Sequence, residues 1–211
     1  MVNYTSVPST ITIFAFKPDG TLYGSDNLRE NPIVRTLNGN SGMREDVETL
    51  FGFSGTETLD GWITVQADTT SLNGYVTYGM PVTGSLAAVS SGPPRTRALC
   101  SHIGTSQGYF TGLALLNPRG TVAKVRVLAL RADGTLLGYF DTVLQSGQRI
   151  SKLINEMIPQ SENQAGGFIW IKSDVPISAT SLFGSVGVLA NIPLQPAPQS
   201  YNPDAKLPPA F

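Results

Sequence analysis

His102 is the only histidine in this chain of 211 residues, so a catalytic triad or a histidine-ligated zinc site would have to be built around it. A triad needs an acid that orients the base, and zinc needs several protein ligands. Cys100 and Ser101 stand beside His102, but no acidic residue lies nearby. We therefore predict no catalytic and no metal-ligating residue. His102 is interpreted as a strand histidine bonded to backbone, and Cys100 as a small core residue.

Two Asp-Gly pairs, Asp19 with Gly20 and Asp133 with Gly134, are predicted to be tight turns, because glycine takes positive φ at little cost. A calcium loop is the alternative, but it needs several oxygen ligands at set spacing, and these are absent. The glycine-rich segment at residues 104–112 lacks the lysine and the spacing of a phosphate-binding loop. We accordingly expect no bound cofactor.

Composition excludes several classes of partner. Charged residues make up 14% of the chain and the net charge is −1, which gives no electrostatic basis for binding nucleic acid or an anionic membrane. No apolar run reaches the roughly 18 residues of a membrane span, so no membrane insertion is expected. The 22 glycines and 15 prolines favour short strands with many turns. A single cysteine excludes an internal disulfide and suits an exported bacterial protein.

An internal repeat is the strongest pattern in the sequence. The segment ITIFAFKPDGTLYG at residues 11–24 returns as VRVLALRADGTLLG at residues 125–138, always 114 positions later. Both copies alternate apolar and other residues with period two and are rich in β-branched side chains, which predicts strands. A second pair of matching blocks, DGWITVQAD at residues 60–68 and GGFIWIKSD at residues 166–174, predicts another strand with an inward apolar face.

The repeat predicts a mainly β protein with two tandem domains. We place domain 1 at residues 1–92, domain 2 at residues 93–198 and an extended C-terminal tail at residues 199–211. Domain 1 carries an insert at residues 25–42. The insert is either a specialised contact loop or a tolerated surface insertion.

Each domain is also predicted to contain one short amphipathic helix. In residues 148–158 the apolar side chains recur at helical spacing and form one stripe. The stripe consists of Ile150, Leu153, Ile154, Met157 and Ile158. Residues 43–51 match in the first copy, where Glu45 and Asp46 fall on the first turn, a place that favours acids through the helix dipole. The stripe is interpreted as core, with a partner-binding face as the alternative.

The two copies differ at their beginnings. Domain 2 starts with RALCSHIGTSQGYFTGLALL at residues 97–116, which predicts a strand, a turn and a second strand. Domain 1 has no counterpart, because Asn3 already aligns with Asn117. Domain 1 is therefore expected to lack an opening hairpin and to leave a sheet edge open, and open edges recruit strands.

Two aromatic residues are specific to one copy. Tyr75 matches Thr180, and Trp170 matches Thr64, whereas the other aromatic positions tend to be aromatic in both copies. Aromatic rings without a structural counterpart are candidates for stacking on a ligand. Tyr75 and Trp170 are therefore the candidate glycan-stacking residues.

The order of motifs resembles that of a known module. GYFTGLALLNPRG is followed by ADGTLLG, a short helix and GGFIWIKSDVPISATSLFG. This order resembles an uncharacterised module that occurs in tandem in secreted bacterial proteins, although Cys100 and Ser101 replace the Phe-Pro common before its histidine. The match covers residues 97–198 and, without the opening hairpin, residues 3–94. The resemblance implies an immunoglobulin-like β-sandwich outside the cell, and it supplies no catalytic residues.

These observations predict a non-enzymatic, extracellular or cell-surface structural or adhesive protein. In its sharper form the prediction is a fibre or surface-array subunit, a homo-oligomer or polymer that assembles by strand addition at the open edge of domain 1, with the tail at residues 199–211 as a candidate donor. The alternative is a carbohydrate-binding module of a secreted protein, with glycan as the partner of Tyr75 or Trp170.

Overall fold

The computed structural model describes residues 1–53, 59–80 and 84–209, which form antiparallel sheets with a few short helices. The predicted mainly β class is confirmed, and the packing is consistent with a β-sandwich. Within these ranges, no helix has both the length and the apolar character needed to cross a bilayer.

The chain divides into two compact units, Met1–Tyr75 and Val76–Phe211. The elements of the first unit are β1 (Val2–Asn3), β2 (Ser9–Phe16), β3 (Ile33–Leu37), β4 (Ser41–Gly42), α1 (Val47–Phe51), β5 (Trp62–Ala67) and β6 (Leu72–Asn73). β2 lies between β3 and β5 in one sheet, and β1 lies between β4 and β6 in another.

The second unit carries the longer strands. Its elements, counting a strand that begins at the division, are β7 (Tyr75–Met80), β8 (Ser85–Ser90), β9 (Arg95–Cys100), β10 (Phe110–Leu116), β11 (Ala123–Leu130), β12 (Leu136–Leu144), β13 (Arg149–Leu153), α2 (Ile154–Met157), β14 (Phe168–Ser185), β15 (Val188–Ile192) and β16 (Gln195–Pro196).

The division falls before the predicted domain boundary at residue 92. The β7–β8 hairpin packs beside β15, and the side-chain amide of Asn191 on β15 donates to the carbonyl oxygen of Ala88 on β8 (2.9 Å). The hairpin therefore belongs to the second unit, although its sequence continues the first copy of the repeat.

β14 is the central strand of the second unit. Its first part pairs with β11 on one side and β9 on the other, and its second part pairs with β10 and β15. The ladder to β9 shifts between Lys172 and Ile177, where β14 passes from one set of strands to the other. One apolar core contains inward side chains from both sets, including Val127, Ile171 and Leu115.

The repeat is visible in the ladders as well as in the sequence. Ile13 on β2 lies opposite Val65 on β5, and the matching residues Val127 and Ile171 lie opposite each other on β11 and β14. Ile11, Ile13 and their counterparts on β11 are buried, as the period of two requires.

Asn117 ties together the loops at one end of the second unit. It is fully buried, and its side-chain amide donates to the carbonyl oxygens of Thr121 (2.6 Å), Leu144 (3.1 Å) and Gln145 (3.1 Å). Its Oδ1 accepts from the backbone N–H of Arg119 (3.1 Å). These bonds satisfy loop carbonyls that would otherwise be buried without partners.

Asn3 does the same in the first unit. Its amide donates to Val7 (2.9 Å), Leu37 (3.1 Å) and Asn38 (3.2 Å). These carbonyls stand in the places of those bound by Asn117, which aligns with Asn3 in the repeat. The two units therefore share one buried polar network as well as one strand pattern.

The predicted insert at residues 25–42 is not a free loop. It contains β3 and β4, and Leu28 within it is buried in the core. The side chain of Asn31 bonds to both backbone groups of Ala15, accepting from its N–H (3.0 Å) and donating to its carbonyl (2.8 Å). An amide side chain thus takes the place of a neighbouring strand beside β2, which ties the segment to the sheet.

The predicted helix at residues 148–158 is wrong over its first half. Residues Arg149–Leu153 form strand β13, and only Ile154–Met157 is α-helical, followed by a short 3-10 turn. The strand forms because β10 offers a partner, with Ile150 opposite Leu115. Short apolar stretches satisfy both periods, and the tertiary pairing decides between them.

The expectation of an extended tail is also wrong. Residues 199–209 form a series of turns, with the N–H of Ala205 bonded to Asn202 (3.2 Å) and that of Leu207 bonded to Asp204 (2.9 Å). Tyr201 and Leu207 pack on the second unit. Apolar contacts hold the tail against the sheet, so it is not a free donor strand.

Candidate functional site

The outer edge of β5 is the candidate functional site. Within residues 1–53, 59–80 and 84–209, β5 has a ladder partner on one side only, which is β2. The equivalent part of β14 is paired on both sides, because β9 places Cys100 opposite Ile169 and Ala98 opposite Ile171. The edge that β9 fills in the second unit therefore has no strand in the first.

Burial shows the same difference. Val65 and Ile171 occupy equivalent inward-facing positions, yet Val65 is 39% exposed and Ile171 is 1% exposed. The partner residues on the neighbouring strand, Ile13 and Val127, are buried in both units. Exposure is thus confined to the side of the core next to the free edge, where apolar surface remains in water.

The ladder to β2 determines which backbone groups of β5 are free. The N–H of Asp68 donates to the carbonyl of Thr10 (3.2 Å), so bonded pairs with β2 fall at alternate residues counted from Asp68. The intervening residues are Ile63, Val65 and Ala67, and their N–H and C=O groups point away from β2. These groups form the hydrogen-bonding edge that another strand would pair with.

Asp68 secures the beginning of β2 against the end of β5. One carboxylate oxygen accepts from the hydroxyl of the buried Ser9 (2.7 Å), and both accept from the N–H of Thr10 (3.1 Å). These hydrogen bonds favour the charged form and hold the pKa of Asp68 below its usual value. Asp174 makes the equivalent bond to the N–H of Lys124 (2.7 Å) in the second unit.

Asp68 is expected to make the first unit sensitive to acid. Its pKa is lowered on folding, so its contribution to stability is complete above the ordinary carboxyl pKa of 3.8 and is lost as the pH falls through the lower, folded-state value. Urea unfolding of Asp68→Asn should therefore show a weaker fall in stability on acidification than the unmodified chain. Asp26→Asn, on an exposed loop residue, is the matched control. Equal acid sensitivity in the unmodified chain and Asp68→Asn would contradict this assignment.

Both Asp-Gly pairs lie in tight turns. Gly20 and Gly134 have positive φ values of 90° and 84°. The Asp19 carboxylate accepts from the N–H of Thr21 (2.9 Å), and Asp133 accepts from that of Thr135 (2.9 Å). These bonds to the threonines lower the pKa of both aspartates. The carboxylates are thus used within their own turns.

The two aromatic candidates have different environments. Tyr75 is 65% exposed at the start of β7 and keeps a ring on the surface. Trp170 is fully buried beneath Tyr201 and Leu207. The sequence interpretation of Trp170 as a glycan-stacking residue is therefore wrong for the chain in this conformation, because the tail occupies the surface beside its ring.

His102 lies just after the end of β9 rather than on a strand. Its ring meets the edge of Phe183 (centroids 4.6 Å apart), and Phe183 stacks on Tyr109 (5.1 Å). Its Nε2 has no hydrogen-bond partner among the described residues, so the predicted bond to backbone is not found at that atom. Cys100 is fully buried in the core. In the part of the chain that the structure describes, no cluster of three His, Cys, Asp or Glu residues is placed to hold a metal ion.

Comparison with known proteins leaves the family open. No family model matches the chain, and no curated protein matches it. Among solved structures, the crystal structure of Thermotoga maritima 1070 is similar at 14% identity, with a TM-score of 0.38 over 44% of this chain and 84% of that one. The Anabaena sensory rhodopsin transducer is similar at 15% identity, with a TM-score of 0.36 over 42% of this chain and 95% of that one.

Sequence reasoning missed an ion pair on the outer face of the second unit. Arg126 is 2% exposed, and its guanidinium binds both oxygens of Asp141 (2.7 and 2.6 Å). The ring of Tyr139 lies 4.8 Å from the guanidinium carbon. The bonds to Asp141 raise the pKa of Arg126, which keeps it charged. The available signal was an arginine on a buried strand where the first copy has Thr12.

Proposed function

We propose that this chain is a non-enzymatic, extracellular structural or adhesive protein whose first unit binds an added β-strand along β5. Such binding makes the chain a subunit of a fibre or surface array. The observation that carries the proposal is the exposed, apolar Val65 at an edge whose counterpart is filled by β9. Free N–H and C=O groups on a strand edge pair readily with another chain. The extracellular location is supported by the resemblance to modules of secreted proteins.

The second unit indicates what kind of strand fits the edge. β9 runs antiparallel to β14 and places the small apolar side chains of Ala98 and Cys100 opposite Ile171 and Ile169. Both side chains are buried in the core. The strand that pairs with β5 is therefore antiparallel, with small apolar residues at alternate positions facing Ile63 and Val65.

A synthetic peptide with the sequence RTRALCSHIG, residues 95–104, is expected to bind the full chain at the β5 edge. Val65→Pro should weaken this binding roughly tenfold or more, because proline removes an outward N–H that the peptide needs but none that bonds to β2. Val34→Pro is the matched control, because Val34 is a similarly exposed valine on β3, the opposite edge of the same sheet. Fluorescence anisotropy of the labelled peptide measures both effects.

Light scattering across a concentration series tests the choice of partner. Mass that rises above 22.4 kDa with concentration, and does so less in Val65→Pro than in Val34→Pro, identifies a second copy as the donor. A constant mass together with peptide binding identifies a different chain as the donor. A constant mass with no peptide binding, or equal binding by both proline variants, would refute strand addition at this edge.

A further inference from the structure

The end of the chain covers the outer face of the second unit's sheet. We call residues 197–209 the tail, and the surface formed by Leu128, Leu130 and Trp170 the tail face. These three side chains are at most 1% exposed. The tail residues that pack on them are Ala197, Tyr201 and Leu207. The tail thus acts as an apolar peptide ligand bound on a sheet.

Charged groups around the tail face hold the tail by its polar atoms. Arg126 donates from Nη1 to the carbonyl oxygen of Pro208 (2.6 Å). The ammonium of Lys172 lies 3.3 Å from the carboxylate of Asp204, whose side chain is only 4% exposed. Arg97 donates to a backbone carbonyl of the tail (2.9 Å). The face therefore recognises a peptide through its backbone and through one buried acid, in addition to its apolar side chains.

This set of groups is built into one unit only. At the equivalent strand positions the first unit has Thr12, Thr64 and Gln66 in place of the arginine, the tryptophan and the lysine. The cations and the large ring that contact the tail are therefore departures from the repeat. Their common feature is contact with the tail.

The contact between tail and face is incompletely satisfied. Within the residues that the structure describes, Trp170 Nε1 and Asp204 Oδ1 are buried without a hydrogen-bond partner. Buried polar atoms without partners reduce the stability gained on docking. Docking of the tail on its own unit is therefore weaker than its burial alone indicates, which favours release and rebinding.

We propose that the tail face is a peptide-binding site and that its ligand between molecules is the tail of a second copy of this chain. The contacts are the same whether the tail docks on its own unit or on another copy, so the two states differ mainly in effective concentration. Prolines 193, 196 and 198 stiffen the connection to the tail and limit how closely it folds back. Tail exchange therefore increases as copies become crowded, and it is independent of strand addition at β5.

Energy transfer between two labelled populations of the full chain tests the proposal. One population carries a donor dye at Lys206→Cys on the exposed part of the tail, and the other carries an acceptor at Val143→Cys, an exposed site two residues from Asp141. Transfer is expected to rise with concentration and to fall when unlabelled peptide of residues 197–211 is added. Asp204→Lys in the donor chain should abolish it, and Val65→Pro should leave it unchanged. Absence of transfer at every soluble concentration, or transfer that Asp204→Lys does not reduce, would overturn tail exchange.

A pair of charge reversals gives a second measurement. Lys172→Glu removes the cation from the face, and Asp204→Lys removes the anion from the tail, so opposite charges meet only when the two variants are mixed. Light scattering of the mixture is expected to show about twice the mass of either variant alone, as for a reciprocal exchange. The chain with both changes restores the pair internally and should remain at the lower mass. A mixture no heavier than its components would argue against exchange, in agreement with a negative transfer result.

Discussion

Asn117→Ala is expected to lower the free energy of unfolding of the second unit by about 2–5 kcal/mol. The substitution removes three bonds donated by the side-chain amide and one accepted by Oδ1, each worth about 0.5–1.5 kcal/mol net. It also leaves the carbonyls of Leu144 and Gln145 without this donor, and Asn117 is fully buried, so water cannot readily replace it. Urea denaturation followed by Trp170 fluorescence measures the loss in this unit.

The repeat supplies a matched experiment. Asn3→Ala removes the same network from the first unit and should destabilise that unit, as reported by Trp62. Asn155→Ala is the control, because its side chain makes one exposed bond, to Glu162. If Asn117→Ala destabilised the protein no more than Asn155→Ala, the buried amide would not be a major source of stability.

Asp141→Ala is expected to have the second large effect, a loss of roughly 2–3 kcal/mol. Removing one partner of a buried ion pair leaves the other charge uncompensated at a cost of about 3–5 kcal/mol. The side chain of Asp141 is 42% exposed, so water screens part of this cost. Arg126 remains 2% exposed with a charge that only the Pro208 carbonyl and the Tyr139 ring still stabilise.

Replacing both residues distinguishes the uncompensated charge from lost packing. Arg126→Met with Asp141→Ala removes the charge together with its partner and should be less destabilised than Asp141→Ala alone. Chemical denaturation of the two variants provides the comparison. If the double variant were the less stable of the two, burial of the arginine stem rather than its charge would explain the effect.

The strands that repeat were predictable because their pattern is local. Ile11, Ile13 and Ala15 alternate with half-buried residues, and the same alternation returns at Val125, so period two and the repeat reinforce one another. The helix was predicted too long because Ile150 fits either period. Only the presence of β10 beside it, which is a non-local fact, makes that segment a strand.

The candidate site was predictable in kind but not in detail. The absence of a counterpart to residues 97–116 near the start of the chain indicated an open edge, and β5 has one ladder partner among the described residues. The tail face was not predictable. Arg126 and Asp141 become partners only through the register of β11 with β12, and Trp170 is buried only because the tail returns to cover it. Sequence patterns within a strand do not report such long-range contacts.

The central position of β14 has a consequence for how the second unit is made. β9, β10 and β11 all precede β14 in the chain and all use it as a neighbour, so few of their contacts can form before residues 168–185 leave the ribosome. Only the β11–β12 hairpin can close early, because its strands are joined by a short turn. During this interval the apolar strands β9 and β10 are without their main partner, a state in which chains are vulnerable to aggregation. Biosynthesis of this unit therefore ends in one late, cooperative step, and a nascent-chain chaperone would have its longest period of engagement just before it.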